Sequence, residues 1–197
     1  MDDVVRAGDA MSTTATDRQL LVRVTGQDQT ALRALYARYQ TRVFRFLVRL
    51  VRQDAIAEEL TNEVFLEVWR HAASFEGKAS VSTWLLSIAH HRAVSALRRR
   101  REESWDEETA AGIRDTDDDP EVVAQKADKG ALLRRAMEQL SPEHREIIDL
   151  VYYHEMSICE VSEVLGIPEN TVKTRMFYAR KRLSETLMAA GVDRGWP

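Results

Sequence analysis

The residues between Thr171 and Arg182 combine cationic and aromatic side chains at spacings that suit contact with nucleic acid. This segment contains five basic residues and no acidic residue. Cations neutralise backbone phosphates, and short polar or flat side chains reach base edges in the major groove. If the segment is helical, one outer face carries Lys173, Thr174, Phe177, Tyr178 and Lys181. This chemistry predicts a helix that reads double-stranded DNA.

Two short helices joined by a tight turn are predicted to position this face. Ser157 and Glu160 form a capping-box pattern at the start of the first helix, and Gly166 followed by Pro168 ends it. The second helix is predicted to begin between Pro168 and Asn170. Its apolar residues recur at spacings of four, three and four, which predicts an inward-facing set of Val172, Met176, Ala179 and Leu183. This arrangement is typical of a helix-turn-helix DNA-binding domain.

The composition indicates that any DNA binding is local. The chain has 197 residues and a net charge of −4, with 30% charged and 44% hydrophobic residues. These values fit a globular protein with one large or two small domains. Because the overall charge is negative, affinity for DNA must come from basic patches rather than from the sum of the charges.

The side chains give no indication of catalysis. The five histidines, which include the adjacent His90 and His91, lack the spacing of a metal-ligand set. Cys159 is the single cysteine, so an internal disulfide is excluded, and we predict that it is a small packing residue. We therefore expect no cofactor and no enzymatic activity.

The beginning of the chain has no apolar core of the signal-peptide kind. Residues 1–16 are predicted to be a disordered leader, and Met11 is an alternative start. No apolar run approaches the roughly 18 residues that span a membrane, so we expect no membrane insertion. The expected compartment is the cytoplasm.

Helical periodicity along most of the chain predicts an all-α fold with two helical domains. The first domain is predicted over residues 17–101, with helices from Asp17 to Thr25, Asp28 to Arg52, Ala55 to Ala73 and Val81 to about Arg101. Residues 102–120 are predicted to be a flexible acidic linker, because between residues 102 and 121 ten residues are acidic and only Arg114 is basic.

The second domain is predicted over residues 121–188, and residues 189–197 form a tail. This domain begins with a helix from Glu121 to Leu140. The next helix is capped by Ser141 with Pro142 at its first position, and the helix-turn-helix completes the domain.

Two long segments carry a family resemblance. Residues 54–101 read DAIAEELTNEVFLEVWRHAASFEGKASVSTWLLSIAHHRAVSALRRRR and resemble the promoter-binding domain of bacterial sigma factors, in particular the extracytoplasmic-function group (group IV). Residues 140–183 read LSPEHREIIDLVYYHEMSICEVSEVLGIPENTVKTRMFYARKRL and are similar to the family's domain for the minus-thirty-five element. The resemblance covers roughly residues 18–187. It implies an alternative sigma factor of the compact two-domain kind, acting in a stress or envelope response.

The resemblance also implies three partners: core RNA polymerase, promoter DNA and an anti-sigma factor. Position in the family pattern gives a core-polymerase surface of Glu59, Leu60, Asn62, Phe65 and Trp69. It gives a minus-ten surface, with a pocket for a flipped base and a phosphate track, of Phe75, Lys78, Ser80, His91, Arg92, Arg98 and Arg99. It gives a minus-thirty-five surface of Lys173, Thr174, Arg175, Phe177, Tyr178 and Lys181.

Some of these assignments carry physical conditions. Leu60, Phe65 and Trp69 do not share one helical stripe, so at least one belongs to the core, and Trp69 is the preferred candidate. His91 stands where many relatives carry asparagine, which changes the hydrogen bonds offered to a base. Gly77 is predicted to leave the loop of residues 75–80 pliable. The acidic linker is consistent both with imitation of RNA in the polymerase exit path and with a simple spacer.

Two other functions stay open at this point. A helix-turn-helix regulator that binds operators by itself would leave residues 54–101 unexplained. A helical adaptor that binds only protein would make no base contacts between Lys173 and Tyr178. For a sigma factor, we expect the free chain to bind promoter DNA weakly and to gain specificity only with core polymerase.

Overall fold

The first helix begins at a capping box. The computed structural model describes residues 15–103 and 132–191. The Gln19 backbone N–H donates to the Thr16 hydroxyl (3.3 Å), and the Gln19 side chain accepts from the Thr16 N–H (2.8 Å). This pair satisfies two of the N–H groups that a helix start leaves open. Helix α1 runs over Asp17–Thr25 and buries three apolar side chains: Leu20, Leu21 and Val24.

The second helix is the centre of the N-terminal unit. Helix α2 (Gln29–Val51) packs against α1, α3 (Asp54–His71) and α4 (Val81–Glu103). The Asp28 carboxylate caps it by accepting from two N–H groups of its first turn. Its buried residues are Ala31, Leu35, Val43, Phe46, Leu47 and Val51. These four helices match the predicted ones to within about two residues at each end.

The connection between α3 and α4 contains a short 3-10 turn, Ala72–Ser74, followed by the loop of residues 75–80. Three apolar residues at the start of α4 are buried: Val81, Leu85 and Ile88. Trp84 is half-buried, and its ring packs on Phe75 of the loop.

The C-terminal unit is also built from helices. Residues 132–138 form α5, and they are followed by α6 (Pro142–Ile148), α7 (Ile158–Leu165) and α8 (Glu169–Ala189). Ser141 caps α6 with Pro142 at the first position, as predicted. The Arg145 guanidinium closes the end of α5 by donating to the backbone carbonyls of Met137, Glu138 and Leu140 at 3.0–3.1 Å. Helix α8 packs against α6 and α7.

A π-helical segment, Asp149–Tyr153, follows α6 directly and was not predicted. The Asp149 carboxylate is buried there, and its Oδ2 lies 3.3 Å from Nε2 of the buried His154. The periodicity of the apolar residues does not distinguish a π-helical turn from the end of an α-helix, so only the identity of this polar pair was available as a signal.

The chain divides into two compact units between Thr109 and Ala110. All regular secondary structure within residues 15–103 and 132–191 is helical, which confirms the all-α prediction with two helical domains. The leader up to residue 14, the acidic linker after residue 103, residues 121–131 of the predicted helix and the tail after Gly191 lie outside the described residues. Within the described stretches, no helix is both long and apolar enough to cross a membrane.

Candidate nucleic-acid interface

The helix-turn-helix has the local structure that its sequence predicts. The Ser157 hydroxyl accepts from the Glu160 N–H (3.3 Å), and the Glu160 carboxylate accepts from the Ser157 N–H (2.9 Å). Gly166 ends α7 at φ 64°, a left-handed conformation that costs glycine little. The Ser162 hydroxyl donates to the Ile167 carbonyl (2.6 Å) and fixes the turn. The turn thus sets the direction in which α8 leaves α7.

One side of α8 is buried and the opposite side is exposed. The buried side contains Val172, Met176 and Ala179, and Leu183 is half-buried. The five side chains predicted to face outward are all exposed: Lys173, Thr174, Phe177, Tyr178 and Lys181. Phe177 exposes 63% and Tyr178 exposes 53% of its surface. Such exposure is unusual for large aromatic side chains, which are mostly buried in folded proteins.

The exposed face offers several kinds of contact to DNA. The Phe177 and Tyr178 rings meet edge to face, with centroids 5.4 Å apart. The Thr174 hydroxyl donates to the Asn170 carbonyl (2.8 Å), so it remains an acceptor and its methyl group can meet a thymine methyl. The Lys173 ammonium lies 3.5 Å from Glu169, a surface pair that phosphate or a base can replace at small cost.

Two further arginines of α8 lie beside other elements. Arg175 is half-buried near Glu143 of α6. The pKa of Glu143 is lowered, first by a hydrogen bond from its own backbone N–H, then by Ser141 and to a smaller extent by the Arg175 charge. Arg180 lies over the Tyr152 ring, 5.5 Å from its centroid. Arg175 therefore lies beside α6 and is half-buried, whereas the outer five residues are exposed.

The structure corrects one prediction in this unit and adds two residues. Cys159 is exposed and is not a packing residue, because the buried face of α7 is formed by Val161, Val164 and Leu165. Tyr152 and Tyr153 expose 55% and 52% of their surfaces. Adjacent tyrosines at a helix end were the available sequence signal for them.

In the N-terminal unit, the loop of residues 75–80 is fixed at both ends. Phe75 packs on Trp84, with ring centroids 5.3 Å apart. The Ser80 hydroxyl accepts from the Thr83 N–H (3.0 Å) and caps α4. Between them, Lys78 forms an exposed ion pair with Glu76, and this hydrogen bond raises the pKa of Lys78 and lowers that of Glu76. The three predicted loop residues therefore differ: Phe75 and Ser80 are held in place, whereas Lys78 points outward.

The loop meets the first helix at its glycine. Gly77 has a φ of +71°, and its carbonyl accepts a hydrogen bond from the Arg18 guanidinium of α1. The pliability of the loop at Gly77 stays a prediction. Arg18 lies 59 residues away in the sequence, so no local pattern could have indicated the contact.

The exposed side of α4 carries His91 and Arg98. His91, Val94 and Arg98 follow one another at spacings of three and four, so they share one face, and all three are exposed. His91 lies seven residues after Trp84, roughly 10 Å along the helix axis. The helix alone therefore does not bring His91 to the loop. Arg99 is exposed on an adjacent face.

Arg92 faces the neighbouring helix. Its Nε and Nη2 donate to the Glu67 carboxylate of α3 at 2.7 and 2.5 Å, and its Nη1 lies 3.4 Å from Glu63. The predicted phosphate contact would have to compete with these two carboxylates. The partners come from 25 and 29 residues earlier in the chain and were not visible in the spacing around Arg92.

The predicted polymerase-binding residues of α3 fall into two sets. Leu60 and Phe65 expose only 5% and 4% of their surfaces, so they belong to the core, whereas Trp69 is half-exposed. The preference for Trp69 as the core residue was therefore wrong. Trp69 lies off the buried face because of its spacing from the residues that form that face: Ala57, Leu60, Thr61, Val64, Phe65 and Val68.

A continuous stripe remains on the outside of α3. Glu59, Asn62, Leu66 and Trp69 follow at spacings of three, four and three, and the first three are exposed. Leu66 was missed, although it exposes 46% of its surface. Its position outside the apolar pattern of the helix was the signal that could have identified it. No group of three or more potential metal ligands comes together in the parts of the chain that the structure describes.

Comparison with known families matches both units. The sigma-70 region 2 model matches residues 35–103, and the sigma-70 region 4 model matches residues 130–183. The chain is 37% identical over 172 residues to "ECF RNA polymerase sigma factor SigK" of Mycobacterium bovis (strain BCG / Pasteur 1173P2), covering 85% of this chain and 91% of that protein. It is 36% identical over 166 residues to SigK of Mycobacterium sp. (strain KMS), covering 82% of this chain and 86% of that protein.

Solved structures share the fold. The sigma factor RpoE from Bartonella quintana, crystallised with the anti-sigma factor NepR, has a TM-score of 0.66 and 23% identity, and the match covers 82% of this chain and 98% of that chain. CnrH, in complex with the cytosolic domain of CnrY, has a TM-score of 0.65 and 21% identity over 88% of this chain and 97% of that chain. The sequence relationship to SigK, over nearly the full length of both proteins, shows that this chain belongs to the family of ECF RNA polymerase sigma factors.

Proposed function

We propose that this chain is an alternative sigma factor that binds core RNA polymerase and directs transcription initiation at a particular set of promoters. The observation that carries the proposal is the outer face of α8. Large aromatic and basic side chains are exposed there on a helix whose opposite side is buried and whose entry is fixed by a capped turn. Exposed aromatics and cations on the second helix of a helix-turn-helix suit the major groove.

In this proposal, the face formed by Lys173, Thr174, Phe177, Tyr178 and Lys181 reads the duplex minus-thirty-five element. Lys173 and Lys181 supply charge, and Phe177 supplies apolar contact. Arg175 has a positioning role beside Glu143, supported by its half-buried place near the start of α6. The nearby pair of Arg180 and Tyr152 extends the cationic surface toward the adjacent phosphates.

The minus-ten element is assigned to the N-terminal unit. The loop of residues 75–80 offers an aromatic edge at Phe75 and a cation at Lys78, which suit a base that has left the stack. Arg98 and Arg99 supply a phosphate track at the far end of α4, together with the exposed His91 on the face of Arg98. Arg92 acts through the α3–α4 contact instead, a role supported by its two carboxylate partners.

Core polymerase is proposed to bind the outer stripe of α3. This stripe keeps Glu59, Asn62 and Trp69 of the predicted set and adds Leu66, because these side chains are accessible. Leu60 and Phe65 contribute by holding the helix in the core. An exposed leucine and a half-exposed tryptophan flanked by polar groups have the composition of a protein-binding surface.

The wider organisation follows the same family. We assign the promoter domain to residues 17–101, the linker to residues 102–120 and the helix-turn-helix domain to residues 121–188, with a leader at 1–16 and a tail at 189–197. We place the chain in group IV, in the cytoplasm and under the control of an anti-sigma factor. The RpoE and CnrH structures, in which NepR and the cytosolic domain of CnrY are the bound partners, support such control.

Two substitutions on α8 test the proposal. Lys173→Ala and Phe177→Ala are expected to lower transcription from the cognate promoter, since each base-edge contact contributes about 1–3 kcal/mol of discrimination, or roughly 5- to 150-fold. Binding to core polymerase should not change. Met188→Ala is the matched control, because Met188 is an exposed apolar residue farther along the same helix. Normal transcription by both variants would reject the assignment of this face to base reading.

A further inference from the structure

The loop of residues 75–80 is held by a contact from the first helix of the chain. The Arg18 guanidinium donates a hydrogen bond to the Gly77 carbonyl. A Cβ atom placed on Gly77 would lie 3.1 Å from Nη2 and 3.3 Å from Cζ of Arg18. A side chain at position 77 would therefore push the guanidinium back by a few tenths of an ångström.

The backbone at Gly77 also favours glycine. Its φ of +71° lies in the left-handed region, which other residues enter at a cost of about 1–2 kcal/mol. In this conformation the Gly77 carbonyl accepts the hydrogen bond from Arg18 of α1. Conformation and contact thus select one loop shape together.

Arg18 is itself held in place by its neighbours on α1. The adjacent Asp17 accepts from the Arg38 guanidinium (2.6 Å) and from the Tyr39 hydroxyl (2.5 Å), both on α2. The capping box at Thr16 fixes the same helix start. These contacts attach the first turn of α1 to α2. The backbone of Arg18, next to Asp17, is therefore held in place.

The Arg18 contact completes a set of three attachments along the loop. Phe75 packs on Trp84 at one end, Ser80 caps α4 at the other, and Arg18 holds the middle at Gly77. Glu76 and Lys78 lie between these attachments, and their side chains are exposed. Fixing the backbone on both sides of these residues fixes the direction in which they can meet a base.

We propose that Arg18 is a positioning residue for promoter recognition, which sets the base preference at one minus-ten position by holding the loop of residues 75–80 through Gly77. This inference rests on the proposed function, in which the loop receives a flipped base. Arg18 does not contact the base itself. It keeps Phe75 and Lys78 in one arrangement, so that the pocket is formed before DNA binds. The entropy cost of ordering the loop is then not subtracted from the binding free energy.

The first measurement concerns the loop in the free protein. Endoproteinase Lys-C cleaves after Lys78, and the yield of fragment 1–78 by intact mass reports opening of the loop. Arg18→Ala is expected to raise the cleavage rate by about three- to tenfold, because the loop loses its central hydrogen bond. Arg18→Lys should fall between, since lysine can donate to the carbonyl but lacks the flat fork. Because this variant adds a Lys-C site at residue 18, its fragments 1–78 and 19–78 are summed as the product cut at Lys78. Arg23→Ala removes an arginine of the same helix that pairs with Asp28, and it should leave the rate unchanged.

The second measurement concerns base preference with the holoenzyme. Transcription from a promoter library randomised across the minus-ten element is compared for wild type, Arg18→Ala, Arg18→Lys, Arg23→Ala and Lys78→Ala. Arg18→Ala is expected to flatten the preference about threefold or more at the one position that Lys78→Ala also alters. The other positions should keep their profile, and Arg18→Lys should restore part of the preference.

The outcomes separate the inference from the function on which it rests. Wild-type cleavage and a wild-type profile for Arg18→Ala, while Lys78→Ala shifts the preference, would overturn the role of Arg18 and leave the base pocket in place. Faster cleavage of Arg18→Ala, with no change in base preference at any position in Arg18→Ala or in Lys78→Ala, would overturn the pocket assignment and the specificity role of Arg18 together. A uniform loss at all positions in Arg18→Ala, with Lys78→Ala still positional, would show that Arg18 only stabilises the fold.

Discussion

Removal of the Arg92 guanidinium is expected to destabilise the N-terminal unit rather than to weaken a phosphate contact. Arg92 donates twice to Glu67, at 2.7 and 2.5 Å, and lies 3.4 Å from Glu63. The Arg92 side chain remains 39% exposed, so the value of about 1.5–3 kcal/mol for hydrogen bonds to charged groups must be reduced for solvent. We expect Arg92→Ala to lower the free energy of unfolding by about 1 kcal/mol.

Arg92→Lys should recover less than half of this loss, because a lysine ammonium cannot reproduce the forked contact with one carboxylate. The coupling is measured most directly by a double-mutant cycle of Arg92→Ala and Glu67→Ala. We expect a coupling energy of about 0.5–1 kcal/mol.

The assay follows from the distribution of tryptophans. Within the described residues, Trp69 and Trp84 are the tryptophans, and both belong to the N-terminal unit. In a background with Trp105→Phe and Trp196→Phe, urea unfolding monitored by tryptophan fluorescence therefore reports on this unit. Arg98→Ala is the matched control, since Arg98 is exposed on the same helix and should change stability by less than about 0.5 kcal/mol.

The reasoning would be refuted by an Arg92→Ala protein that is as stable as Arg98→Ala but transcribes poorly. Such a result would return Arg92 to the phosphate track that its family position suggested. Loss of stability in Arg92→Ala together with normal stability in Arg98→Ala agrees with the contact to α3.

Substitutions at three further positions test local features of the fold. Burial, and then the hydrogen bond to Asp17, raise the pKa of Tyr39 from 10.0 to about 12. The stability that this tyrosine contributes is therefore present below pH 10 and is lost between pH 10 and pH 12. In unfolding monitored by fluorescence, Tyr39→Phe should be less stable than wild type by about 1 kcal/mol at neutral pH and should lose less stability between pH 10 and pH 12. Gly166→Ala should destabilise the C-terminal unit by about 1–2 kcal/mol from backbone strain alone, since no atom lies within 4 Å of the added Cβ. Gly166→Asn should destabilise it less, and hydrogen exchange of the C-terminal unit measures both losses. Ser157→Ala should cost about 1 kcal/mol by removing the α7 cap, seen as faster amide exchange in α7 with α4 unaffected.

The sequence predicted the features that depend on neighbours a few residues apart. The capping box at Ser157, the left-handed Gly166 and the division of α8 into buried and exposed sides all follow from spacings of three or four residues. The capping box at Thr16 follows the same rule and could have been predicted from its Thr-x-x-Gln pattern.

The missed features depend on contacts between distant segments. Arg92 meets Glu67 and Arg18 meets Gly77 only after the helices have packed, so neither spacing nor composition indicates them. Trp69 was the preferred core residue among Leu60, Phe65 and Trp69, but its position on α3 lies outside the buried face. Local periodicity therefore predicted the helices better than it predicted which large side chains the tertiary structure covers.

Run-off transcription on genomic DNA shows whether the chain directs initiation at a particular set of promoters. Purified core polymerase from the source bacterium is supplied with the chain or left without it, and the 5′ ends of the transcripts are mapped. The account predicts new start sites that appear only with the chain and share two elements, near minus thirty-five and minus ten. Lys173→Ala should reduce their number or strength. An unchanged set of start sites in the presence of the chain, with the chain bound to core polymerase, would contradict the account and favour an adaptor that binds only protein.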